Sequence, residues 1–490
     1  MTPARRWRFI LNRVPRPSQL IHALRTARPR QLRARALRPL RRRDFRARPR
    51  PGDLCPLLEN VELWRTQAFA RLDARPEPSS RLAAFHEHYG EDVLEAARSG
   101  QIEQARITLR RWISLNPPRP GSAWHPYPLS TRVASWIAAL SLEPSLIDDQ
   151  AGDSIWRQLE HLNSNVEDDI LGNHVIRNAK ALVLGGAAFG DNRLLQRGRA
   201  LLARELPEQV LPDGGHYERS PAYHRLVLRD LLELAPYASV AGEISRMTDF
   251  ASASSRPDGA PALFNDGGLD IAPVLDLPTP PEGIQVFPDT GYVFVRAGRL
   301  WLAFDCGPPA PPYLPAHAHA DALSIQLWWD GKPVVVDAGT STYEPSEARD
   351  WDRSTRAHST VSIDERNQFE PWGSFRSGPL PTVELEAVGQ DHAQASVSWS
   401  GGLRHVRRVE WNASGSITLE DRVAGRGRHH VASRLLGPSP GSVRVTGPLK
   451  LEWEEARVSE RFGRSVTVPA AVASGWVELP ATFGFRLDVS

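Results

Sequence analysis

The spacing of apolar residues changes once along this chain, and that change constrains its fold more than any other feature. Between about residues 55 and 250, apolar side chains recur at three- and four-residue intervals. Leu82, Phe85, Tyr89, Val93 and Ala96 form one such series, and Ile102, Ala105, Leu109, Trp112 and Ile113 another. This spacing lines one face of an α-helix. It predicts further helices near 131–142, 151–163, 173–188, 192–206, 221–235 and 239–253. Many helices joined by short loops point to a helical bundle or toroid. After about residue 285 the period drops to two. Gly291–Ala297, Leu300–Asp305, Leu323–Trp329, Pro333–Asp337, Thr382–Val388, Ala393–Trp399, Val406–Trp411 and Ser416–Val423 read as strands. Asp330-Gly331 suits a tight type I′ hairpin, since both residues tolerate positive φ. Regular short strands predict an antiparallel β-sandwich.

Residues 255–288, rich in Pro, Gly and Asp, read as the linker. A chain of 490 residues exceeds one ordinary core. The predicted division is a basic Arg-rich tail at 1–50, a helical domain at 51–270 and an antiparallel β-domain at 271–490. A hydrophobic share of 41% with a mean hydropathy of −0.38 describes a globular chain. No apolar run approaches the ~20 residues of a membrane span. The apolar stretch after Arg5, Arg6 and Arg8 stops at Leu11, too early for a secretory core of roughly 7–15 residues. Cys55 and Cys306 are the two cysteines, too few for a disulfide framework and outside any metal-type spacing.

Charge is uneven. Residues 1–50 hold 17 arginines and one acid, Asp44, so they carry +16 while the remainder carries −13. Such a segment suits an anionic surface, an acidic glycan or nucleic acid. The chain is also strongly biased toward arginine, with Lys180, Lys332 and Lys450 as its three lysines. Pro15, Pro17, Pro29 and Pro39 prevent one long helix there.

Three clusters carry candidate chemistry. In Gly172-Asn-His-Val-Ile-Arg-Asn178, a helix would pair Asn173 with Arg177 and His174 with Asn178, one turn apart. So many polar side chains are costly in an apolar core and suit a wet cleft that receives an anion. In Asp213 to His224, Ser220 suits an N-cap and Pro221 the first helical position. Tyr223 would then lie in the first turn, where the helix dipole favours a phenolate and eases proton exchange. The third cluster runs His317-Ala-His319-Ala-Asp321, then Asp337, then His358. An extended 317–321 would put His317, His319 and Asp321 on one face. Two imidazoles and a carboxylate form a zinc-type ligand set, leaving a further histidine for proton transfer. Trp124, Trp328, Trp329 and Trp372 are candidates to stack on sugar rings, with Trp328 and Trp329 on opposite sides of a strand.

HAHADALSIQLWWDGKPVVVDAGTSTY, RSTRAHSTV and EPWGSFR, preceded by AWHPYPLS, GNHVIRN and LPDGGHYERSPAYH, make the chain resemble the heparinase II/III-like polysaccharide lyases over roughly residues 80–380. Ser359 departs from the Asn that pattern leads one to expect. The resemblance implies an incomplete (α/α) toroid followed by an antiparallel β-sandwich, with a cleft between them. It implies β-elimination on a polysaccharide containing uronic acid. Asn173 and His174 would meet the uronate carboxylate, with Arg177 close by. Tyr223 would serve as acid and also as base, and His317 would assist or act as base. Tyr343 is implied as a second tyrosine, and with Trp124 and Trp372 as a substrate contact. His319, Asp337 and His358 would hold a structural zinc ion. Asp213, Glu218 and Asp266 leave open the paired carboxylates of a glycoside hydrolase. A silent glycan-binding or exopolysaccharide-assembly protein on the same scaffold is the alternative. Nucleic acid is not expected, because no recognition helix or aromatic sheet accompanies the basic segment. The resemblance suggests the cell envelope or periplasm, whereas the lack of a recognisable signal peptide suggests the cytoplasm.

Overall fold

The computed structural model describes residues 16–41, 45–66, 80–399, 401–412 and 414–489. The helical half is built around two helices, Pro126–Leu142 and Asn173–Ala188, which are buried on nearly every side. Their sequences explain this: Val133, Ile137 and Leu140, and Val175, Leu182 and Val183, project from several faces rather than one stripe. Asp149–Ser164, Asn192–Gln209 and Pro221–Leu234 pack around them, so Leu159, Leu201 and Leu228 enter one continuous core. Two helices begin earlier than the apolar period suggested, one by five residues and one by two, because Pro126 and Asp148 set their starts.

The β half contains a five-stranded antiparallel meander and a six-stranded antiparallel sheet. The meander is β1 (Gly283–Phe287), β2 (Tyr292–Ala297), β3 (Leu300–Asp305), β4 (Ile325–Trp329) and β5 (Lys332–Val335). In the larger sheet, β9 is Thr382–Val388, β10 His392–Ser398, β11 Arg404–Trp411, β12 Ser416–Ala424, β14 Val443–Thr446 and β17 Ala481–Asp488. A four-stranded sheet adds β6 (Val361–Ile363), β13 (Arg428–Leu436), β15 (Lys450–Arg461) and β16 (Arg464–Glu478), and β7 (Pro371–Trp372) pairs with β8 (Arg376–Ser377). Asp330 and Gly331 turn the β4–β5 hairpin with φ of 52° and 72°. Both values fit the turn that the dipeptide predicts.

The meander buries both faces. Leu302, Phe304, Leu327 and Trp329 join Leu419 and Phe485 inside the sandwich. Phe294, Trp301 and Trp328 meet Phe250 and Phe264 on the side of the helices. The two adjacent tryptophans therefore do point opposite ways, and each lies in a core.

Two expectations need correction. Residues 314–324 form an irregular loop rather than a strand, and the segment read as a linker contributes fully buried Asn265 and Asp266. The described part of the basic segment is folded onto the toroid. Helices Pro17–Thr26 and Pro29–Arg41 are held by Arg30–Glu205 at 2.6 Å, Arg38–Asp169 at 3.1 Å and Arg28–Glu208. Cys55 and Cys306 are free thiols. Among the described residues, no helix is long and apolar enough to cross a membrane.

Candidate active site

Tyr223 is placed by the start of its helix. Ser220 Oγ accepts the Tyr223 N–H at 3.2 Å and donates to the Asp266 carbonyl, while Pro221 occupies the first turn. The Tyr223 ring stacks on the His317 imidazole with centroids 3.8 Å apart, and its hydroxyl lies 2.7 Å from that of Tyr343. The dipole argument predicted an acidified phenol, and the structure reverses it. Burial pushes Tyr223 well above its usual value and the Asp266 charge adds to this, outweighing the Tyr343 hydrogen bond. Tyr223 is a protonated phenol at neutral pH, suited to donating a proton.

His317 is gripped at both nitrogens. Nδ1 lies 2.9 Å from Asp266 Oδ2 and Nε2 lies 3.0 Å from Glu218 Oε2. Burial opposes the imidazolium, but the hydrogen bonds to Asp266 and Glu218 outweigh it and carry His317 to about 9. Burial likewise opposes the Glu218 carboxylate, which His317 holds down at about 2. His317 is therefore a donor with no vacant lone pair, which argues against the base role the resemblance implied.

The other Glu218 oxygen, Oε1, accepts the Asn173 N–H at 2.8 Å. Gly172, at φ 63°, makes the turn that brings this N–H to Glu218; an added Cβ would collide with Glu218 Oε1. One carboxylate thus ties the start of the Asn173 helix to the histidine of the β half. Asn173 is 2% exposed, and its Oδ1 has no hydrogen-bond partner within the protein. Beside it, His174 packs on Tyr127 with centroids 4.3 Å apart and lies 3.3 Å from Glu167 Oε1. Burial opposes the Glu167 charge, but His174, His125 and Asn178 hold the group down to about 2.

Asp266 also accepts from Arg349 through both oxygens, with Nη2 at 2.8 Å, and lies 2.9 Å from His319 Nε2. That leaves His319 Nδ1 buried without a partner, as is Asp321 Oδ1. The donor atoms of His319, Asp321 and His358 all lie within 4.8 Å of one another. Burial pushes His319 down to about 4, so its lone pair is available at neutral pH. Two imidazoles and a carboxylate are zinc-type ligands, but both His358 nitrogens are engaged, Nδ1 2.8 Å from Asp337 and Nε2 3.0 Å from the Asp352 carbonyl, so an ion would have to displace one of those contacts.

The model "Heparinase II/III N-terminus" matches residues 85–267 and "Heparinase II/III-like, C-terminal" matches 279–465. The chain belongs to the heparinase II/III family. It is 25% identical over 394 residues to FtsZ-localized protein C of Caulobacter vibrioides, covering 72% of this chain and 66% of that protein. It is 24% identical over 241 residues to a heparin-sulfate lyase of Bacteroides stercoris, covering 40% of this chain and 36% of the lyase. The heparinase II/III chain thus spans less than two thirds of these relatives. Among solved structures, Heparinase III superposes with a TM-score of 0.69 at 16% identity, covering 86% of this chain and 80% of that one. A heparan sulfate lyase mutant of Pedobacter heparinus gives 0.61 at 18%, covering 94% and 89%. These likenesses show the toroid-and-sandwich fold.

Within this family member, Asn173, Tyr223, His317 and Tyr343 are linked by the contacts above, and His174 follows Asn173 on its helix with contacts of its own to Tyr127 and Glu167. The other candidates are distributed differently. Arg177 is buried with Nε 2.7 Å from Asp230, so its charge is met inside the toroid rather than held for a substrate. Trp124 is 4% exposed, donates to the Asn116 carbonyl and packs edge-on against Phe45 and His161, so it is a core residue. Trp372 is buried beneath the Arg376 guanidinium, 5.0 Å away, and does not offer an open face. Asp337 lies 2.8 Å from His358 Nδ1, and the compact metal-type group contains Asp321 instead. Asp213 accepts Thr290 N–H at 2.7 Å, and Glu218 and Asp266 both bind His317. The three acids considered for hydrolysis are therefore engaged, not opposed as a free pair.

Sequence reasoning did not assign Asp266 or Glu218 to His317, and it missed Glu167, Arg349 and Phe375. Phe375, 41% exposed, is the open aromatic beside the site, with its centroid 5.4 Å from Tyr343. A buried functional histidine needs a carboxylate or carbonyl to fix its ring, which was the one signal pointing toward the acids. No motif said which acid.

Proposed function

We propose that the chain is a polysaccharide lyase that cleaves a uronic-acid-containing polysaccharide by β-elimination. The reading is carried by the hydroxyl pair of Tyr223 and Tyr343, 2.7 Å apart, over an imidazole held between two carboxylates. Elimination removes the proton on C5 of the uronate, forms the C4–C5 double bond and breaks the bond from C4 to the glycosidic oxygen. A deprotonated group must accept the C5 proton, and an acid must give a proton to the departing glycosidic oxygen. Tyr223, held protonated, supplies that proton. Tyr343 takes the C5 proton; burial, the Tyr223 and Asp266 charges and the hydrogen bond to Tyr223 raise this phenol as well, so the step starts from a pair that has already given up one of its two hydroxyl protons, and transfer from Tyr343 back to Tyr223 across 2.7 Å restores that state.

The C5 proton becomes acidic enough only when the uronate carboxylate is neutralised by hydrogen bonds. The Asn173 side chain and the imidazole of His174 serve this role. The His317 cation beneath Tyr223 offsets the added negative charge of the enolate-like intermediate. Asp213, Glu218 and Asp266 are all engaged, so none of them forms a free acid pair for hydrolysis. An acidic polysaccharide is accordingly the substrate partner.

A zinc ion would be held by His319 and His358 with Asp321, and Asp337 would support His358. Such an ion would brace the loop that carries His317. No step of the elimination passes through it.

The test is ultraviolet absorbance of the unsaturated uronate product against a panel of uronate polysaccharides. A rise that Tyr223→Phe abolishes supports the reading. Turnover that persists in Tyr223→Phe removes that tyrosine from the mechanism. Binding without product would favour a silent glycan-binding scaffold. That second reading draws support from the relative named for FtsZ localisation, which matches more of this chain than the Bacteroides stercoris lyase does.

A further inference from the structure

The two N-terminal helices reverse the usual amphipathic rule. In Pro17–Thr26 the buried residue is Gln19, while Leu20, Ile21 and Leu24 are 42%, 49% and 60% exposed. At 100° per residue, those three occupy one sector of the helix, with exposed Arg25 at its edge. In Pro29–Arg41 the inward positions are Gln31 and Ala34, and Leu32, Arg33 and Arg35 face out. A helix packed on a core normally turns its leucines inward. Here the inner face is fastened by polar contacts instead. Gln31 reaches the Tyr313 carbonyl, and Arg28, Arg30 and Arg38 pair with Glu208, Glu205 and Asp169. The arginines thus divide into an inner set that attaches the helices and an outer set beside exposed leucines.

We propose that this outward face docks the protein on an anionic phospholipid bilayer. Leucine and isoleucine enter the boundary between headgroups and acyl chains, and arginines at the rim meet lipid phosphates. A nucleic acid or a free acidic glycan would complement the arginines but offers nothing to three neighbouring aliphatic side chains. The charge asymmetry fits as well, since the +16 of residues 1–50 opposes −13 over the rest, so an anionic surface orients the molecule helix pair first. The proposal is independent of lyase activity, and its assay does not use turnover.

The full chain is sedimented with vesicles of phosphatidylcholine containing phosphatidylglycerol, and with phosphatidylcholine alone. The wild type pellets with the anionic vesicles and stays in solution with the neutral ones. Leu20→Ser/Ile21→Ser/Leu24→Ser weakens the partition at least about tenfold, because aliphatic burial is lost while every arginine remains. Ile107→Ser, a control at a 52% exposed position on the toroid helix Ile102–Leu115, leaves binding unchanged. The proposal is overturned if the anionic vesicles fail to pellet the wild type. It is equally overturned if the triple variant binds as the wild type does, since arginine charge alone would then account for the attraction. Preferential binding of duplex DNA over anionic vesicles would overturn it too.

Discussion

His317 shows how a single residue acquires its role from its neighbours. An isolated imidazole near its usual 6.5 exchanges protons at neutral pH, but Asp266 and Glu218 carry this one to about 9. Because the folded value lies above the unfolded one, His317 stabilises the fold fully below pH 6.5, and that contribution disappears as pH rises through about 9. Glu218, lowered from 4.5 to about 2, contributes above pH 4.5 and loses its contribution as pH falls through about 2. The melting temperature should therefore fall on both sides of a plateau between about pH 4.5 and 6.5. In His317→Gln the alkaline decline should flatten, as thermal melts across the pH range would show. An unchanged alkaline limb in the variant would reject the coupling. Tyr343→Phe should reduce turnover by about a hundredfold or more, the usual range for a removed general base. Wild-type kcat in that variant would exclude Tyr343 as the base.

At the scale of elements, the site depends on two helix starts. Ser220→Ala removes a cap and a hydrogen bond to the Asp266 carbonyl, so stability should fall by about 1–2 kcal/mol in denaturant melts. Gly172→Ala should separate stability from activity. The left-handed backbone and the collision with Glu218 force the Asn173 helix start away from its carboxylate anchor. Turnover should drop more than the melting temperature does; a variant with wild-type kcat would show that the Glu218–Asn173 link is dispensable. Both helix starts were legible in the sequence, since Ser-Pro and Gly-Asn are local signals. The loop at 314–324 was not, because its shape follows from Asn265, Asp266, Asp305 and Arg353 hydrogen bonding to it from elsewhere in the chain.

For the whole molecule, the meander joins the two halves through one aromatic cluster. Phe250→Ala should cost about 3–5 kcal/mol, as expected for a large buried aromatic, and equilibrium unfolding would measure it. Zinc, as proposed, would act at the same scale. Metal analysis should find about one ion per chain, and a chelator should lower the melting temperature. His319→Ala should lower it as well and abolish the chelator's effect. Metal-free wild-type protein that melts identically with and without added zinc would reject the ion.

The sequence by itself determined the order of helices and sheets, the hairpin at Asp330-Gly331, and the opposed faces of Trp328 and Trp329. These follow from period, turn chemistry and short motifs, all of which act over a few residues. Tertiary structure alone decided which acids clamp His317, that Tyr223 is held protonated, that Arg177 and Trp124 face inward, and that Asp321 joins the two metal-type histidines. Each of those depends on burial and on charges brought together from distant parts of the chain. Asp266 and Arg349 lie 83 residues apart yet form one buried ion pair, and no local pattern specifies a partner at that distance.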